Sequence, residues 1–384
     1  MAFVPCISQL PTLSTTTGQS SASHVYRNLG SKASIVHGRS SISSKILLPF
    51  STTSRKHPER LSSLKTTMSA TGEPLEDWLH RVDRDLGKCT RGIFRACKEI
   101  AYKIRTASCD KMQCFNDFGD EQLAIDVLAD KCIFDNLQAC NVVATASSEE
   151  VPVEKELNPQ GQYSVAFDPL DGSSIIDTNF SVGTIFGVWK GKSFIGKNGH
   201  DIVAAGLAIY GPRTTITLGI DGVKGSHEFL LIDDFSAEHG SWIHTNVFET
   251  VNEGKLFAPG NLRAAQDNPG YAKLLDYYFQ EKYQLRYTGG MVPDVNQILV
   301  KGKGVFCNPA SPKAKAKLRV LYEVLPIGYL MEKAGAKSSD GKASVLDIEI
   351  KSTEDRSQVC YGSPDEVRRF EEMVGVKAMA SVLA

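Results

Sequence analysis

Two aspartates stand three residues apart in the motif Phe167-Asp168-Pro169-Leu170-Asp171-Gly172-Ser173-Ser174. The motif follows the apolar run of residues 163–167, which is typical of a buried strand. Two carboxylates crowded on one turn repel each other unless a cation lies between them, and Mg²⁺ is a hard ion that takes oxygen ligands. The backbone donors of the Gly-Ser-Ser segment offer a place for a phosphate oxygen. The motif therefore favours a magnesium site beside a bound phosphate, with an ordinary Asx turn as the alternative for Asp-Pro-x-Asp alone.

Four more acidic residues precede this motif: Asp120, Asp126, Glu149 and Glu150. Singly, each fits a simpler role, because Asp120 can cap a helix and the other three can be solvated charges. Their order is Gly-Asp, a downstream Asp, Glu-Glu and then Asp-Pro-Leu-Asp-Gly-Ser. Taken together, they predict one hydrolytic metal site.

The first 58 residues contain no Asp or Glu, six Lys or Arg, and 19 Ser or Thr. This composition is typical of an organelle transit peptide, and we assign residues 1–66 to a plastid leader, with a disordered tail as the alternative. Beyond residue 58 the chain carries 37 basic and 44 acidic residues without a basic stripe, which argues against nucleic acid as a partner. No apolar run of about eighteen residues occurs, so no membrane span is expected.

Hydrophobic periodicity divides the remaining chain near residue 250. In residues 73–250, helices are expected at 75–106 and from 121 to about 137, followed by strands at 141–144, 163–167, 184–189, 204–210, 215–220 and 229–232. In residues 251–384, helices are expected at 271–282, 292–300 and 313–334, the last interrupted near Pro326, with strands at 284–287 and 304–307. The pattern predicts an antiparallel-rich α+β subdomain that carries the acidic motifs, followed by an α/β subdomain.

The ordered acidic set resembles the lithium-sensitive, magnesium-dependent phosphatases, a superfamily that includes inositol monophosphatases and fructose-1,6-bisphosphatases. The bisphosphatase branch is indicated by Arg286-Tyr287-Thr288-Gly289-Gly290-Met291-Val292-Pro293-Asp294-Val295 and by Lys317-Leu318-Arg319-Val320-Leu321-Tyr322-Glu323. The resemblance extends from about residue 75 to the C-terminus. It implies an α/β and α+β fold, the layered α-β-α-β-α sandwich of the sugar phosphatases, with two subdomains.

This resemblance also implies a role for each matching residue. The expected metal ligands, for about two or three Mg²⁺ ions that Mn²⁺ can replace, are Glu149, Asp168, the Leu170 carbonyl, Asp171 and Glu323. The residues expected to orient and deprotonate the attacking water are Asp120, Asp126 and Glu150. The expected substrate-binding residues are Gly172, Ser173, Ser174, Asn261, Arg263, Arg286, Tyr287, Met291, Lys317 and Arg319. For Glu323 the alternative is an ordinary helical pair with Arg319. In fructose bisphosphatases the arginine that matches Arg286 reaches a neighbouring subunit, so the resemblance also implies a homodimer.

Three segments are similar to plastid members of the branch: Asp117-Phe118-Gly119-Asp120-Glu121-Gln122, Tyr210-Gly211-Pro212-Arg213-Thr214 and Pro259-Gly260-Asn261-Leu262-Arg263. The implied reaction is hydrolysis of the 1-phosphate of sedoheptulose 1,7-bisphosphate in the chloroplast stroma, as a step of the Calvin–Benson cycle. Asn308 stands where fructose bisphosphatases usually have a tyrosine, and less bulk there suits a seven-carbon sugar. The alternatives are a fructose-1,6-bisphosphatase, a dual-substrate enzyme, or a non-catalytic phosphosugar-binding regulator.

Cys109 and Cys114 flank Asp110-Lys111-Met112-Gln113, shortly before Asp120. The plastid members that act on the seven-carbon sugar carry a C-x₄-C pair at this point, whereas plastid fructose bisphosphatases carry their regulatory cysteines elsewhere, so the resemblance implies a regulatory disulfide that thioredoxin reduces. Two unrelated free thiols are the alternative. Closing so short a ring contributes only about 2 kcal/mol, enough to bias a loop that carries Asp120, and oxidation is expected to lower activity.

Overall fold

The structure, a computed structural model, describes residues 72–106, 114–115, 121–122, 124–232 and 241–375. Its strands are β1 (Glu73–Pro74), β2 (Cys114–Phe115), β3 (Glu121–Gln122), β4 (Val143–Ser148), β5 (Lys155–Glu156), β6 (Tyr163–Asp171), β7 (Val182–Lys190), β8 (Ile202–Tyr210), β9 (Thr214–Ile220), β10 (Ser226–Ile232), β11 (Ser241–Phe248), β12 (Asn252–Pro259), β13 (Gln284–Leu285), β14 (Lys303–Asn308), β15 (Lys337–Ser339) and β16 (Val359–Gly362). Its α-helices are α1 (Leu75–Trp78), α2 (Arg84–Thr106), α3 (Ala124–Ala139), α4 (Pro269–Gln280), α5 (Met291–Lys301), α6 (Leu325–Lys333) and α7 (Pro364–Val374). Short 3₁₀ turns occur at Leu79–Arg81, Ser173–Thr178, Gly199–Asp201, Leu262–Gln266 and Val345–Asp347, and a π turn at Val320–Val324.

Two large sheets carry the fold. Within the described residues, the first has nine strands in the order β1-β11-β10-β9-β8-β7-β6-β4-β5, and β4 with β6 is its only parallel pairing. The second has five strands in the order β13-β12-β14-β16-β15, in which β12 runs parallel to both of its neighbours. β2 and β3 form a separate two-stranded pair.

Three apolar clusters stack these sheets and helices into five layers. Side chains of α1, α2 and α3 pack on one face of the nine-stranded sheet. Side chains of α5 and α6 fill the space between the other face and the five-stranded sheet, and α4 and α7 cover the far side. Along β6, Val165 and Phe167 point to the first cluster and Ala166 to the second, as the alternation of a strand requires. The predicted α-β-α-β-α sandwich is confirmed.

Several predicted elements need correction. Glu121 and Gln122 pair with β2 as a strand, and the described helix begins only at Ala124. Residues 313–319 are not helical. Pro326 lies in the first turn of α6, a position at which the absence of a backbone N–H in proline is tolerated. β11, which the periodicity did not reveal, carries exposed and half-buried residues between its buried ones.

The division at residue 250 stays a proposal. β11 and β12 lie on either side of it and belong to different sheets. The predicted leader lies outside the described residues. None of the described helices is both long enough and apolar enough to cross a bilayer.

Gly183 of β7 lies where the nine-stranded sheet packs against α5. A Cβ at this position would overlap the Ala208 carbonyl oxygen and a methyl group of Val292. Gly183→Ala is therefore expected to lower the free energy of unfolding by about 1–3 kcal/mol through overpacking, measured by urea denaturation.

Gly219→Ala is the matched control. A Cβ there would lie 3.3 Å from Lys333 Cγ and 3.5 Å from Leu330 Cδ1, without overlap, so a smaller loss of stability is expected. Equal losses from the two substitutions would show that contact with α5 does not set the effect of Gly183→Ala.

Candidate active site

Three carboxylates converge at the end of β6. The ligand oxygens of Asp168, Asp171 and Glu323 all lie within 4.8 Å of one another. Asp168 and Glu323 are buried, and Asp171 is half-buried. Like charges this close cannot all ionise without a compensating cation. The structure thus brings together three of the residues that the sequence assigned to one metal site.

A bulge in β6 turns both aspartates toward the same point. In a regular strand, residues three positions apart point to opposite faces. Here the register with β7 shifts between Asp168 and Asp171, so that Pro169 and Leu170 together face the single residue Thr184. Thr184 Oγ1 donates a hydrogen bond of 2.8 Å to the Pro169 carbonyl, which holds the bulge. Proline is tolerated at this position because a bulge residue need not donate to the ladder.

Glu323 enters the cluster from the π turn Val320–Val324. One of its oxygens, Oε2, accepts a hydrogen bond of 2.5 Å from the backbone N–H of Arg319. The neighbouring Tyr322 hydroxyl lies 2.8 Å from the Ser147 hydroxyl of β4, which ties the turn to the nine-stranded sheet. Single π turns of this kind are frequent at functional sites.

Glu149 reaches the cluster because β4 runs parallel to β6 and ends beside it. Its backbone N–H donates to the Phe167 carbonyl at 3.0 Å. Its side chain raises the pKa of Asp168 and lies 3.4 Å from Arg319, measured between Oε1 and Nε. The acidic pair Glu149-Glu150 is therefore brought next to the bulge by strand pairing.

Arg319 is buried beside Glu149. Its side chain is 2% exposed, and Nη1 donates to the Glu149 carbonyl at 3.0 Å and to Glu354 Oε1 at 3.2 Å. The helical pair with Glu323 is not formed, since Arg319 has extended backbone angles just before the π turn. Its contact with a substrate phosphate stays a prediction. Because residues 149 and 319 are 170 positions apart, no local pattern in the sequence predicts their contact. The apolar run Val320-Leu321-Tyr322 is the local indication that Arg319 is buried.

The cluster holds protons more tightly than ordinary carboxylates do. Burial, followed by the charges of Glu149, Asp171 and Glu323, raises the pKa of Asp168 well above its usual range. Burial raises the pKa of Asp171 to about 7, although the N–H groups of Val292 and Met291 oppose the shift. Burial and the charge of Glu149 also raise the pKa of Glu323.

The donor set fits a hard divalent cation. Each of the three carboxylates has one oxygen fixed by a backbone N–H: Leu170 N to Asp168 at 2.9 Å, Val292 N to Asp171 at 2.7 Å, and Arg319 N to Glu323. Each also offers an oxygen to the cluster, whose side-chain donors are all oxygen atoms. Oxygen ligands around crowded negative charge suit Mg²⁺ better than softer metals.

Two of the three residues predicted to act on water are described. Asp126 lies in the first turn of α3 and is 2% exposed. Glu150 is half-buried, and its backbone N–H donates to the Ser148 hydroxyl at 3.0 Å. Asp120 lies outside the described residues, as does Cys109, and the Cys114 side chain is not described.

The predicted phosphate-binding segments flank the cluster. Gly172 follows the bulge with a φ of +83°, a left-handed conformation that favours glycine, and the turn Ser173–Thr178 begins there. On the other side, Gly290 lies so close that a Cβ on it would be 3.6 Å from Asp171 Oδ2. Arg286 and Tyr287 precede it and are exposed.

The remaining residues predicted to contact substrate differ in their solvent exposure. Arg263 and Lys317 are exposed, whereas Met291 is 4% exposed and packs in the core between the sheets. The Asn261 amide donates to the Pro309 carbonyl at 2.7 Å and to the Ala314 carbonyl at 3.0 Å. Asn261 therefore holds the 309–314 loop, and its substrate contact stays a prediction.

Comparison with known proteins extends over most of the chain. The family descriptions that match are fructose-1-6-bisphosphatase, N-terminal domain, over residues 77–247, and fructose-1-6-bisphosphatase, C-terminal domain, over residues 250–375. The chloroplastic sedoheptulose-1,7-bisphosphatase of Spinacia oleracea is 55% identical over 322 residues, which cover 83% of this chain and 82% of the spinach protein. The class 1 fructose-1,6-bisphosphatase of Geobacter sulfurreducens is 37% identical over 289 residues, 74% of this chain and 89% of the bacterial protein. A crystal structure of a candidate sedoheptulose-1,7-bisphosphatase from Toxoplasma gondii has a TM-score of 0.73 and 38% identity, and covers 80% of this chain and 98% of that one.

The matching family descriptions and relatives define the class of phosphoric monoester hydrolases, and the five-layer fold with its carboxylate cluster at a strand bulge agrees with that class. Within that class, the chain belongs to the fructose-1,6-bisphosphatase family. The family membership predicted from the motifs is thereby confirmed.

Removing one charge from the cluster is expected to stabilise the metal-free protein. Groups with raised pKa values hold protons in the folded state that the unfolded chain releases, so this contribution to stability falls as pH rises from about 4 to about 7. In chelator at pH 7.5, Asp168→Asn is expected to raise the free energy of unfolding by about 1–2 kcal/mol and to flatten that pH dependence. Phosphate release with Mg²⁺ is expected to fall by at least about 100-fold.

Urea denaturation at several pH values, with and without Mg²⁺, measures the first effect. Asp177→Asn removes an exposed charge in the following turn and serves as the control, with neither change expected. A metal-free Asp168→Asn variant less stable than the unsubstituted protein at pH 7.5 would contradict the repulsion on which this prediction depends.

Proposed function

We propose that the protein hydrolyses the 1-phosphate of sedoheptulose 1,7-bisphosphate to sedoheptulose 7-phosphate and inorganic phosphate in the chloroplast stroma. The observation that carries the substrate is the 55% identity to the spinach sedoheptulose bisphosphatase, against 37% to the bacterial fructose bisphosphatase, over most of each chain. The observation that supports the chemistry is the carboxylate cluster. The chloroplastic relatives also support the proposed location.

Magnesium would be held by the three clustered carboxylates, with Glu149 and the Leu170 carbonyl completing the set. When bound, the metal ions would offset the charge that develops on the attacking and leaving oxygens. The protein's own contribution is to hold these ligands through fixed N–H groups, so that little reorganisation is needed when the substrate arrives.

The water that attacks the 1-phosphate must lose a proton to a nearby base. Asp126 and Glu150 are the described candidates, with Asp120 assigned to the same role. In-line attack by this water forms the new P–O bond and breaks the bond to the sugar oxygen, which takes up a proton. The distal phosphate and the sugar would contact Arg286, Tyr287 and Lys317, since a guanidinium and an ammonium are suited to phosphate.

The protein is further proposed to act as a homodimer. Arg286 is exposed, and in the described part of the chain its Nη1 donates to the carbonyl of the adjacent Leu285 at 3.1 Å. A long cationic side chain in this position has the reach to enter a site on a second subunit.

A phosphate-release assay on sedoheptulose 1,7-bisphosphate and fructose 1,6-bisphosphate, with and without Mg²⁺, tests the substrate and the cofactor. We expect Mg²⁺-dependent release and a higher kcat/KM on the seven-carbon sugar. A higher kcat/KM on the fructose substrate would favour the alternative enzyme. Binding without phosphate release would favour the regulator.

The redox switch is tested with the same assay. The unsubstituted protein is expected to gain activity on reduction by dithiothreitol or thioredoxin, whereas Cys109→Ser is expected to be active without it. Cys360→Ser is a control, because Cys360 is a buried thiol remote in sequence from this pair. A Cys109→Ser variant that reduction still activates strongly would refute the assignment of Cys109 and Cys114.

A further inference from the structure

Asp294 is a buried acidic residue to which the sequence assigned no function. It lies in the first turn of α5, and its side chain is 1% exposed. No Lys or Arg forms an ion pair with it in the described part of the chain. Burial raises its pKa to about 6, while hydrogen bonds from residues 288 and 289 act in the opposite direction. A carboxyl group buried without a cation needs several hydrogen-bond donors to stay in place.

All the donors that Asp294 uses come from one loop. The Thr288 backbone N–H lies 2.9 Å from Oδ1 and 3.1 Å from Oδ2. The Thr288 hydroxyl and the Gly289 backbone N–H lower the pKa of this carboxyl, and the hydroxyl donates to the Gly290 carbonyl at 3.4 Å. Gly289 has a φ of +102°, a left-handed conformation that favours glycine.

This loop joins the two halves of the site. At its start, the Arg286 backbone N–H is fixed to the Phe257 carbonyl at 2.9 Å, at the edge of the five-stranded sheet. At its end, α5 begins, and the N–H groups of Met291 and Val292 hold Asp171 of the acidic cluster. The start of α5 therefore makes two contacts. Its backbone bonds to Asp171 of the cluster, and the Asp294 side chain bonds to the Arg286–Gly290 loop.

We infer that Asp294 is a positioning residue that fixes Arg286 and Tyr287 at a set distance from the carboxylate cluster. This inference rests on the proposed function, because it concerns the loop expected to bind the distal phosphate. Losing the anchor would leave the cluster intact and let the phosphate-binding side chains move. The loss would therefore appear in binding of the distal phosphate rather than in the chemical step.

Asp294→Asn tests this inference with little change in size. Its amide would place a donor against the Thr288 N–H, so at least one of the two short hydrogen bonds is lost. Steady-state rates are measured on the bisphosphate and on the corresponding sugar 1-phosphate, which lacks the distal group. We expect KM for the bisphosphate to rise about tenfold, the loss of one hydrogen bond to a charged group, with kcat/KM on the 1-phosphate within about twofold of the unsubstituted protein.

Two controls accompany this variant. Asp276→Asn removes an exposed carboxylate from α4 and is expected to leave both substrates unchanged. In an Arg286→Ala background, Asp294→Asn is expected to add little to the KM increase, because residues that act through one contact are not additive.

An equal fall in kcat/KM on both substrates would overturn the inference, since a merely structural role lowers both together. Full additivity with Arg286→Ala would overturn it as well. If Asp294→Asn does not fold, Thr288→Val, which deletes only the hydroxyl donor, must produce a KM increase of about threefold on the bisphosphate alone. If the proposed function is wrong, the unsubstituted protein releases no phosphate. In that case, binding of the bisphosphate, measured by calorimetry, is compared between the unsubstituted protein and Asp294→Asn.

Discussion

Mutual repulsion among carboxylates is the constraint on which the site depends. Asp168, Asp171 and Glu323 offer oxygens within 4.8 Å of one another, and Glu149 adds a fourth charge beside them. Such a group works against the folded state, and a flexible chain would simply separate the charges. Here Asp168 and Asp171 lie on a sheet covered on both faces by apolar layers, and Glu323 lies on a turn packed between the sheets, so separating them would require the layers to move apart. The stability of the layers is thus what keeps the cluster together.

The protein limits this repulsion with a similar device at each carboxylate. A backbone N–H fixes one oxygen of each of the three clustered groups, and each donor comes from a different element: the bulge, the start of α5, and the residue before the π turn. Neutral donors stabilise the ionised form without adding a mobile counter-charge. Arg319, the buried cation nearest to Glu149, lies at the side of the cluster and also reaches Glu354. A cation bound among the carboxylates would therefore find ligands that are already oriented.

How much could be predicted from the sequence depends on how far apart in the chain the interacting residues are. The long helix α2 and the strands of the nine-stranded sheet are set by local periodicity, and the Asp-Pro-Leu-Asp motif lies on a single strand. The bulge that turns Asp168 and Asp171 to one side depends on the register with β7, which no local pattern contains. The contact of Arg319 with Glu149, and the unwound segment at 313–319, likewise depend on partners that are distant in the chain. The residue types were therefore predictable, whereas the devices that orient them were not.

The two halves of the site are built on different kinds of support, which explains why the family is easier to recognise than the substrate. The acidic half lies on buried strands and turns whose neighbours leave little room for change. The half expected to bind sugar and distal phosphate lies on exposed or looser segments, including Arg263, Arg286 and Lys317. Asn261 does not point freely into that half, because its amide ties the 309–314 loop to the end of β12. Differences between sugar bisphosphates of six and seven carbons would therefore depend on how such loops are anchored as well as on which side chains they carry.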